Sequence, residues 1–453
     1  MTNFIKEEGG DILTIYRRLK NRNFEGNTGL AVKNSTYQFV TLFITKIGSL
    51  LFTIILARML LPELFGLYSL ALSTILFFGI FSDFGIGSAL ITFVSKSLAR
   101  KDFGKAKAYF KILLKFKFLL VSITFLILAL SAYPVAKFYY NKPIFIALLA
   151  GAIYLFIINI LGFIGQSFIT MNNFKHPLIK EVIFQILRLI LVPLSILIFL
   201  KYSLSSEVIV AGIILVLSFC YFIGLVFLLR YSKEELPFLN YKEKKITKVE
   251  KDNLKRFVLP LIATSLSGTF LGYIDMIMLG QFVKELFIGY YNAAFTLIAS
   301  VTAIISFTSV SLFPIFSGLK GQALERGFNK SLRLILLVSI VCCILTFLLA
   351  PLGIKLVYGE AYEPSIAILR LLSLLLVSFP LSSLYFTYFI SQEKTKILSK
   401  LLIGTIILNI ILNYIFIIQG LKFGMMGAII GVGISTIISK NLYLWGLVFW
   451  RKR

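Results

Sequence analysis

Stretches of about twenty predominantly apolar residues recur along the whole of this sequence, and about twenty is the helix length that crosses a hydrocarbon layer ~30 Å thick. Twelve such runs can be marked, at 37–57, 67–91, 115–133, 144–170, 178–200, 207–229, 257–280, 287–315, 332–352, 365–390, 397–418 and 425–449. They lack the short alternating pattern of an outer-membrane barrel. A soluble chain of 453 residues, 58% hydrophobic and 15% charged, has too little interior to hide so much apolar surface. The sequence predicts an all-α polytopic membrane protein with twelve transmembrane helices.

In a soluble protein the formal net charge of +26 would suggest nucleic acid. Here a topogenic cause suffices, because cytoplasmic loops of membrane proteins collect Lys and Arg. With the N-terminus in the cytoplasm, 35 of the 46 Lys and Arg fall in cytoplasmic segments or at the cytoplasmic edges of spans, seven in outside connectors and four deeper within spans. A missed or invented span would invert this alternation, and no inversion occurs. The expected location is the cell membrane, with both termini cytoplasmic and no nucleic-acid partner. Residues 1–36 form a cytoplasmic segment without the apolar core of a cleavable signal peptide. Within it Ile12, Ile15, Tyr16 and Leu19 share a helical face beside Arg17, Arg18 and Lys20, the pattern of a helix lying on the membrane surface. The longest polar break, 230–256, reads as a cytoplasmic linker. It divides the chain into an N-terminal lobe, 37–229, and a C-terminal lobe, 257–453, of six spans each.

Two short stretches echo one another across that linker. "ELFGLYSLAL" begins at Glu63 and "ELFIGYYNAAF" at Glu285, each between the first and second span of its half. An even number of spans separates them, so both halves enter the membrane in the same direction. This is a parallel repeat, related by a pseudo-twofold axis along the membrane normal. Gly66 and Gly289 lie in these stretches and Gly280 just before the second, and their expected work is tight helix starts and close packing.

"ARMLLPELFGLYSLALSTILFFGIFSDFGIGSAL", 57–90, and "YIDMIMLGQFVKELFIGYYNAAFTL", 273–297, resemble the two signatures of the polysaccharide-biosynthesis membrane proteins. These are the oligosaccharide flippases of the multidrug/oligosaccharidyl-lipid/polysaccharide exporter superfamily. The resemblance implies two six-helix lobes arranged as a V, similar to multidrug and toxin extruders and to lipid II flippases. It also implies translocation of a polyprenyl-linked oligosaccharide from the inner to the outer leaflet. The partners it implies are that lipid, the membrane lipids and other glycan-assembly proteins.

Charges inside spans are costly, roughly 2.5–3.5 kcal/mol each on insertion scales, and so mark candidate sites. Lys46, Lys440, Arg188 and Arg370 are the basic ones, and facing a central cavity they would bind an anionic headgroup. Snorkelling or structural ion pairing is the competing reading, strongest for Arg370, which lies near the outer end of its span. Asp83 and Asp275 read as ion-coupling residues or as structural pairs. Asn159, Gln166, Asn409 and Asn413 suit sugar-binding amides in a wet cavity, or hydrogen bonds between helices.

Enzymatic signals are poor. His176 is the sole histidine, no phosphate-binding GxxxxGK[ST] occurs, and no Asp-x-Asp pair could hold a metal-bound sugar nucleotide. Cys220, Cys342 and Cys343 lie in apolar runs and read as reduced packing residues. No enzyme, metal site or cofactor is expected. The rival readings are a cation-coupled multidrug exporter of the same fold, which predicts acids dominating the cavity, and a membrane polysaccharide ligase or polymerase, which predicts a sizeable external loop.

Overall fold

The computed structural model describes residues 26–312, 316, 318, 319, 321–392 and 394–452; the expected surface helix around Ile12–Leu19 lies outside them. Thirteen α-helices and no strand occur among the described residues. They are α1 Gly26–Gly79, α2 Ile86–Ala99, α3 Phe103–Pro134, α4 Phe145–Thr170, α5 Lys175–Lys201, α6 Ser206–Glu235 and α7 Lys248–Phe282 in the first part of the chain. The remainder are α8 Glu285–Ser311, α9 Gly321–Val357, α10 Ser365–Leu372, α11 Leu375–Ser391, α12 Thr395–Leu421 and α13 Met425–Lys452.

At 54 residues and about 1.5 Å per residue, α1 would be more than twice as long as a bilayer core is thick if it were straight. It is broken at Leu61, where φ is 58° and ψ 172°, immediately before Pro62. Proline cannot donate to the preceding turn and disfavours a helical residue before it, so the first two spans part there. Ten helices among the described residues are long and apolar enough to span a membrane. The first covers two expected spans and α7 brackets the seventh, so all twelve runs fall on largely helical backbone. Two differences from the expected spans stand out. The second span is interrupted between Gly79 and Ile86, and the tenth is split into α10 and α11.

The cores show how the twelve spans are arranged. One apolar cluster takes the end of each odd span and the start of each even one, including Leu60, Phe65, Leu128, Leu148, Ile196 and Ile213, then Leu279, Ile288, Ile354, Leu369, Ile417 and Ile429. At the opposite end the core divides. One cluster, around Leu90, Phe110, Phe168 and Leu228, serves the first half. Another, around Phe328, Leu384, Phe389 and Leu447, serves the second. A shared core at one end and two separate cores at the other give the two lobes their V.

The shared end is built on the repeated stretch itself. A Cβ on Gly66 would overlap the carbonyl oxygen of Glu285, and a Cβ on Gly289 would overlap that of Pro62. Asn292 Nδ2 donates to Ser69 Oγ at 2.7 Å, across a separation of 223 residues. The same offset relates Gly66 to Gly289 and Pro62 to Glu285. The contact of Gly66 with Glu285 therefore recurs between their mates, Gly289 and Pro62, which is the reciprocity of a twofold contact. Around this crossing the Tyr362 hydroxyl donates to the Ala57 carbonyl at 2.9 Å. The Arg58 guanidinium donates to the carbonyls of Val357 and Leu356. Lys142 Nζ lies 3.7 Å from Glu285 Oε1.

At the far end the segment between the halves is folded down rather than loose. Helix α6 continues to Glu235 and α7 starts at Lys248, leaving a short non-α stretch strapped onto the start of α3. Lys105 pairs with Glu250 at 2.6 Å, Lys111 with Glu243 at 2.6 Å, and Lys244 with Asp102 at 3.0 Å. Phe103 stacks on Tyr241 with centroids 4.6 Å apart, while Leu236 and Phe238 are buried. Thr247 and Glu250 close a capping box on the first turn of α7.

Two outcomes follow from these contacts. In a background with Cys220, Cys342 and Cys343 changed to Ser, the Ser69→Cys/Asn292→Cys pair should crosslink readily. Gly289→Val should abolish that crosslink, while Gly353→Val, whose position meets nothing nearby, should leave it unchanged. Retention of the crosslink in Gly289→Val would refute the backbone contact. At the strap, the hydrogen bond from Lys105 holds the Glu250 carboxyl below its ordinary value of 4.5. A depressed carboxylate stabilises the fold above its unfolded value, and that contribution fades as pH falls through the folded one. Protease cutting within 241–247 should stay constant from neutral pH down to about 4.5 and rise only below it; a rise near pH 6 would contradict this.

Candidate functional site

The interruption between α1 and α2 gathers polar groups in the middle of an apolar span. A 3-10 turn covers Ile80–Ser82, and then Phe84 and Gly85 take left-handed φ values of 42° and 77°. Positive φ strains a phenylalanine and comes freely to glycine. The freed backbone finds its partner on α3, where Lys117 reaches in with its side chain only 4% exposed. Its ammonium donates to the Ser82 carbonyl at 2.9 Å, to Asp83 Oδ1 at 2.9 Å and to Asn159 Oδ1 at 3.0 Å. Ser82 Oγ also donates to Asn159 Oδ1, at 2.7 Å. All three ammonium protons are thus used, and the charge is matched by one carboxylate. The Asp83 side chain is 46% exposed and opens into a cavity of about 420 Å³, lined also by Asn159, Leu76, Leu155, Ile158 and Tyr273. Tyr273 comes from α7, so both halves of the chain contribute walls.

A second cluster lies in the C-terminal half, where Asp275 of α7 is 7% exposed. Asn413 Nδ2 donates to its Oδ1 at 2.7 Å, and Thr436 Oγ1 to its Oδ2 at 2.7 Å, with the Tyr291 hydroxyl at 3.3 Å. Asn409 and Ser439 extend the network at 3.4 Å. Lys440 follows Ser439 on α13 and holds its ammonium 5.4 Å above the Phe379 ring. The buried Asn413 Oδ1 has no hydrogen-bond partner among the described residues. The carboxylate, amide and hydroxyl oxygens of this set suit a proton or a hard cation.

The remaining expected residues lie apart. Arg188 is 7% exposed, donates to Ser49 Oγ at 3.0 Å, and is flanked by the Phe52 and Phe184 rings at 4.7 and 5.0 Å. Lys46 is exposed on α1, with no hydrogen bond or ion pair among the described residues. Arg370 is exposed at the end of α10, against Phe347. A Cβ on Gly87 would overlap the Gln166 amide, whose buried Oε1 lacks a partner among the described residues. The structure therefore brings Asp83 together with Asn159, and Asp275 with Asn409, Asn413 and Lys440.

Lys117 does not stand out in the sequence because it sits at the edge of a basic segment. The signal was nonetheless present in its angular position. Lys111 and Lys115 are one turn apart on one face, and Lys117 is rotated roughly 200° from Lys115, pointing inward.

The unequal exposure of this pair gives an asymmetric expectation for thermal unfolding in detergent. Asp83→Asn strands a buried ammonium and should cost about 3–5 kcal/mol. Lys117→Met leaves a carboxylate that water can reach, and should cost only about 1–2 kcal/mol. The double variant should recover much of the first loss. Equal costs for the two single variants would show that the pair is not arranged in this way.

The comparisons with known proteins agree with this architecture. An inward-facing multidrug resistance MATE transporter of the MOP superfamily superposes with a TM-score of 0.66 at 16% identity, covering 91% of this chain and 99% of its own. The lipid II flippase MurJ, in an inward closed conformation, gives 0.69 at 15% identity, covering 92% and 87%. A putative O-antigen transporter from Shigella flexneri is 26% identical over 177 residues, a match that spans 38% of this chain and 41% of that protein. The sequence profile of the polysaccharide biosynthesis proteins matches residues 31–320. On that match, with the fold to accompany it, the chain belongs to the polysaccharide biosynthesis protein family.

Proposed function

We propose that the protein is a flippase for a polyprenyl-linked oligosaccharide, carrying the headgroup from the cytoplasmic to the outer leaflet while the tail stays in lipid. The observation that carries this reading is Lys46. It lies well inside an apolar span, is exposed, and has no partner among the described residues. An ammonium facing hydrocarbon costs roughly 2.5–3.5 kcal/mol, whereas one facing a wet cleft between lobes keeps its hydration. A cation in such a cleft meets the phosphate of a lipid carrier. Lys440, half-buried on α13, adds a second positive group. Bound headgroup would be exposed on alternate sides as the lobes rock about the twofold crossing at Gly66 and Gly289. In this reading that crossing is the outer gate, and the strapped end with the linker is cytoplasmic.

One observation favours a second reading. Asp275, buried with an amide and two hydroxyls and with the Lys440 ammonium acting on it, is the kind of group that couples transport to a proton or sodium gradient. It fits an ion-driven flippase, and equally a cation-coupled drug exporter.

Proteoliposomes with labelled lipid-linked oligosaccharide separate these readings. Lys46→Ala and Lys440→Ala should each slow translocation about tenfold, the worth of one charge-assisted contact. Normal rates in both folded variants would remove the cationic assignment. Efflux of a cationic dye without movement of the sugar lipid would replace the flippase reading with the exporter.

A further inference from the structure

We propose that the cavity over the break between α1 and α2 is a binding subsite for an uncharged, hydroxyl-bearing group, a sugar ring, with the free carboxylate oxygen of Asp83 as its acceptor. The proposal rests on the flippase reading and assigns a place to the glycan rather than to the phosphate.

Three features point to this class of ligand. The first is the imbalance of the Lys117–Asp83 pair. A purely structural pair hides both charges, yet here the ammonium is 4% exposed and the carboxylate 46%. Asp83 Oδ1 is bound by Lys117, while Oδ2 accepts no hydrogen bond among the described residues. The second is electrostatic. Lys117 has spent its three donors on Ser82, Asp83 and Asn159, so nothing in the cavity is left to draw an anion. A phosphate there would meet the free carboxylate oxygen, whereas a hydroxyl would donate to it. The third is the lining. Leu76, Leu155 and Ile158 give aliphatic walls for the C–H faces of a ring, and Tyr273 lines the same cavity with a phenol, while the Asn159 amide is already bonded to Leu155, Lys117 and Ser82. A volume of about 420 Å³ lies within the range of ~300–1,000 Å³ usual for small-ligand pockets.

The position also matters. Asp83 and Asn159 belong to the first half and Tyr273 to the second. A ring held between them is gripped only while α7 lies against the break. Phe77 and Phe270 keep it there with ring centroids 4.7 Å apart, and a Cβ on Gly85 would overlap Leu261. Hold on the sugar is thereby tied to the arrangement of the two halves.

The test is site-directed alkylation in proteoliposomes. Ile158→Cys, in a chain with its three native cysteines changed to Ser, is labelled by a maleimide in the presence of N-acetylglucosamine or of inorganic pyrophosphate. The sugar should slow labelling several-fold and pyrophosphate should not. Protection should vanish in Asp83→Asn/Lys117→Met, which removes both charges together. Should that variant fold poorly, Leu76→Trp fills the cavity while leaving the pair intact, and should abolish protection too. Protection by pyrophosphate, no protection by the sugar, or protection that survives these changes would each overturn the subsite. Labelling requires no transport. If the sugar protects while the parent protein moves no lipid-linked oligosaccharide, the flippase reading falls and the subsite stands.

Discussion

Two helices can approach until one backbone meets the other only where a residue at the crossing lacks a side chain, and the arrangement of the halves depends on one such approach. Gly66 faces the backbone of Glu285 and Gly289 faces that of Pro62. Within lipid no hydrophobic force drives helices together, so association rests on close packing and on bonds between polar groups. The crossing supplies both, with Asn292 bonded to Ser69 and Tyr362 bonded to the Ala57 carbonyl. Because the contact is reciprocal, each half presents the same small surface to the other. Apolar side chains from both halves fill in around it as a shared core, and beyond its reach the cores separate. The V is a consequence of how small that crossing is.

The repeat governs backbone geometry and leaves the buried charges free to differ. At the offset that joins Gly66 to Gly289, Asp83 corresponds to Ser306 and Asp275 to Phe52. The two acids also meet their burial in different ways. Asp83 balances a lysine and keeps one oxygen open to a cavity. Asp275 is enclosed by an amide and two hydroxyls. The first arrangement is electrically complete without a ligand, whereas the second pairs its carboxylate directly with neutral donors, has the Lys440 ammonium acting on it from α13, and leaves an amide oxygen with nothing to accept from among the described residues. A carrier assembled from two similar halves gains two distinct sites in this manner.

Much of this was legible in the sequence, and what was not has a common cause. The apolar runs locate the spans because lipid imposes one length on every helix. The repeated Glu-Leu-Phe stretches disclose the duplication, and their glycines mark close packing. That the two stretches pack on each other follows from the twofold axis, which no local pattern encodes. Two glycines just beyond Asp83, Gly85 and Gly87, weaken the helix there, but the group that receives the broken backbone, Lys117, comes from another helix. Lys117 itself was hidden by reading charge along segments and not around the helix. Lys46 and Arg188 look alike as lone charges in apolar runs, yet one is exposed and the other lies between two phenylalanines. Partners of that kind come from other helices, and only the fold brings them near.

Helix α7 connects these features mechanically. Its first turn is fixed to the N-terminal half by the Lys105–Glu250 pair, and Phe257 packs edge-on against Phe93 at 5.4 Å. Its last turns belong to the other half, through Asp275 and its bonds to Asn413 and Thr436. One helix is therefore anchored to both lobes, with Tyr273 at the cavity between those anchors. Any motion that separates the halves at the strapped end has to bend α7 between Leu261 and Tyr273 or release one of its attachments. Bending there would also move the phenol of Tyr273 relative to Asp83. The chain thus places its buried carboxylate network, its interlobe cavity and its strapped linker along a single helix.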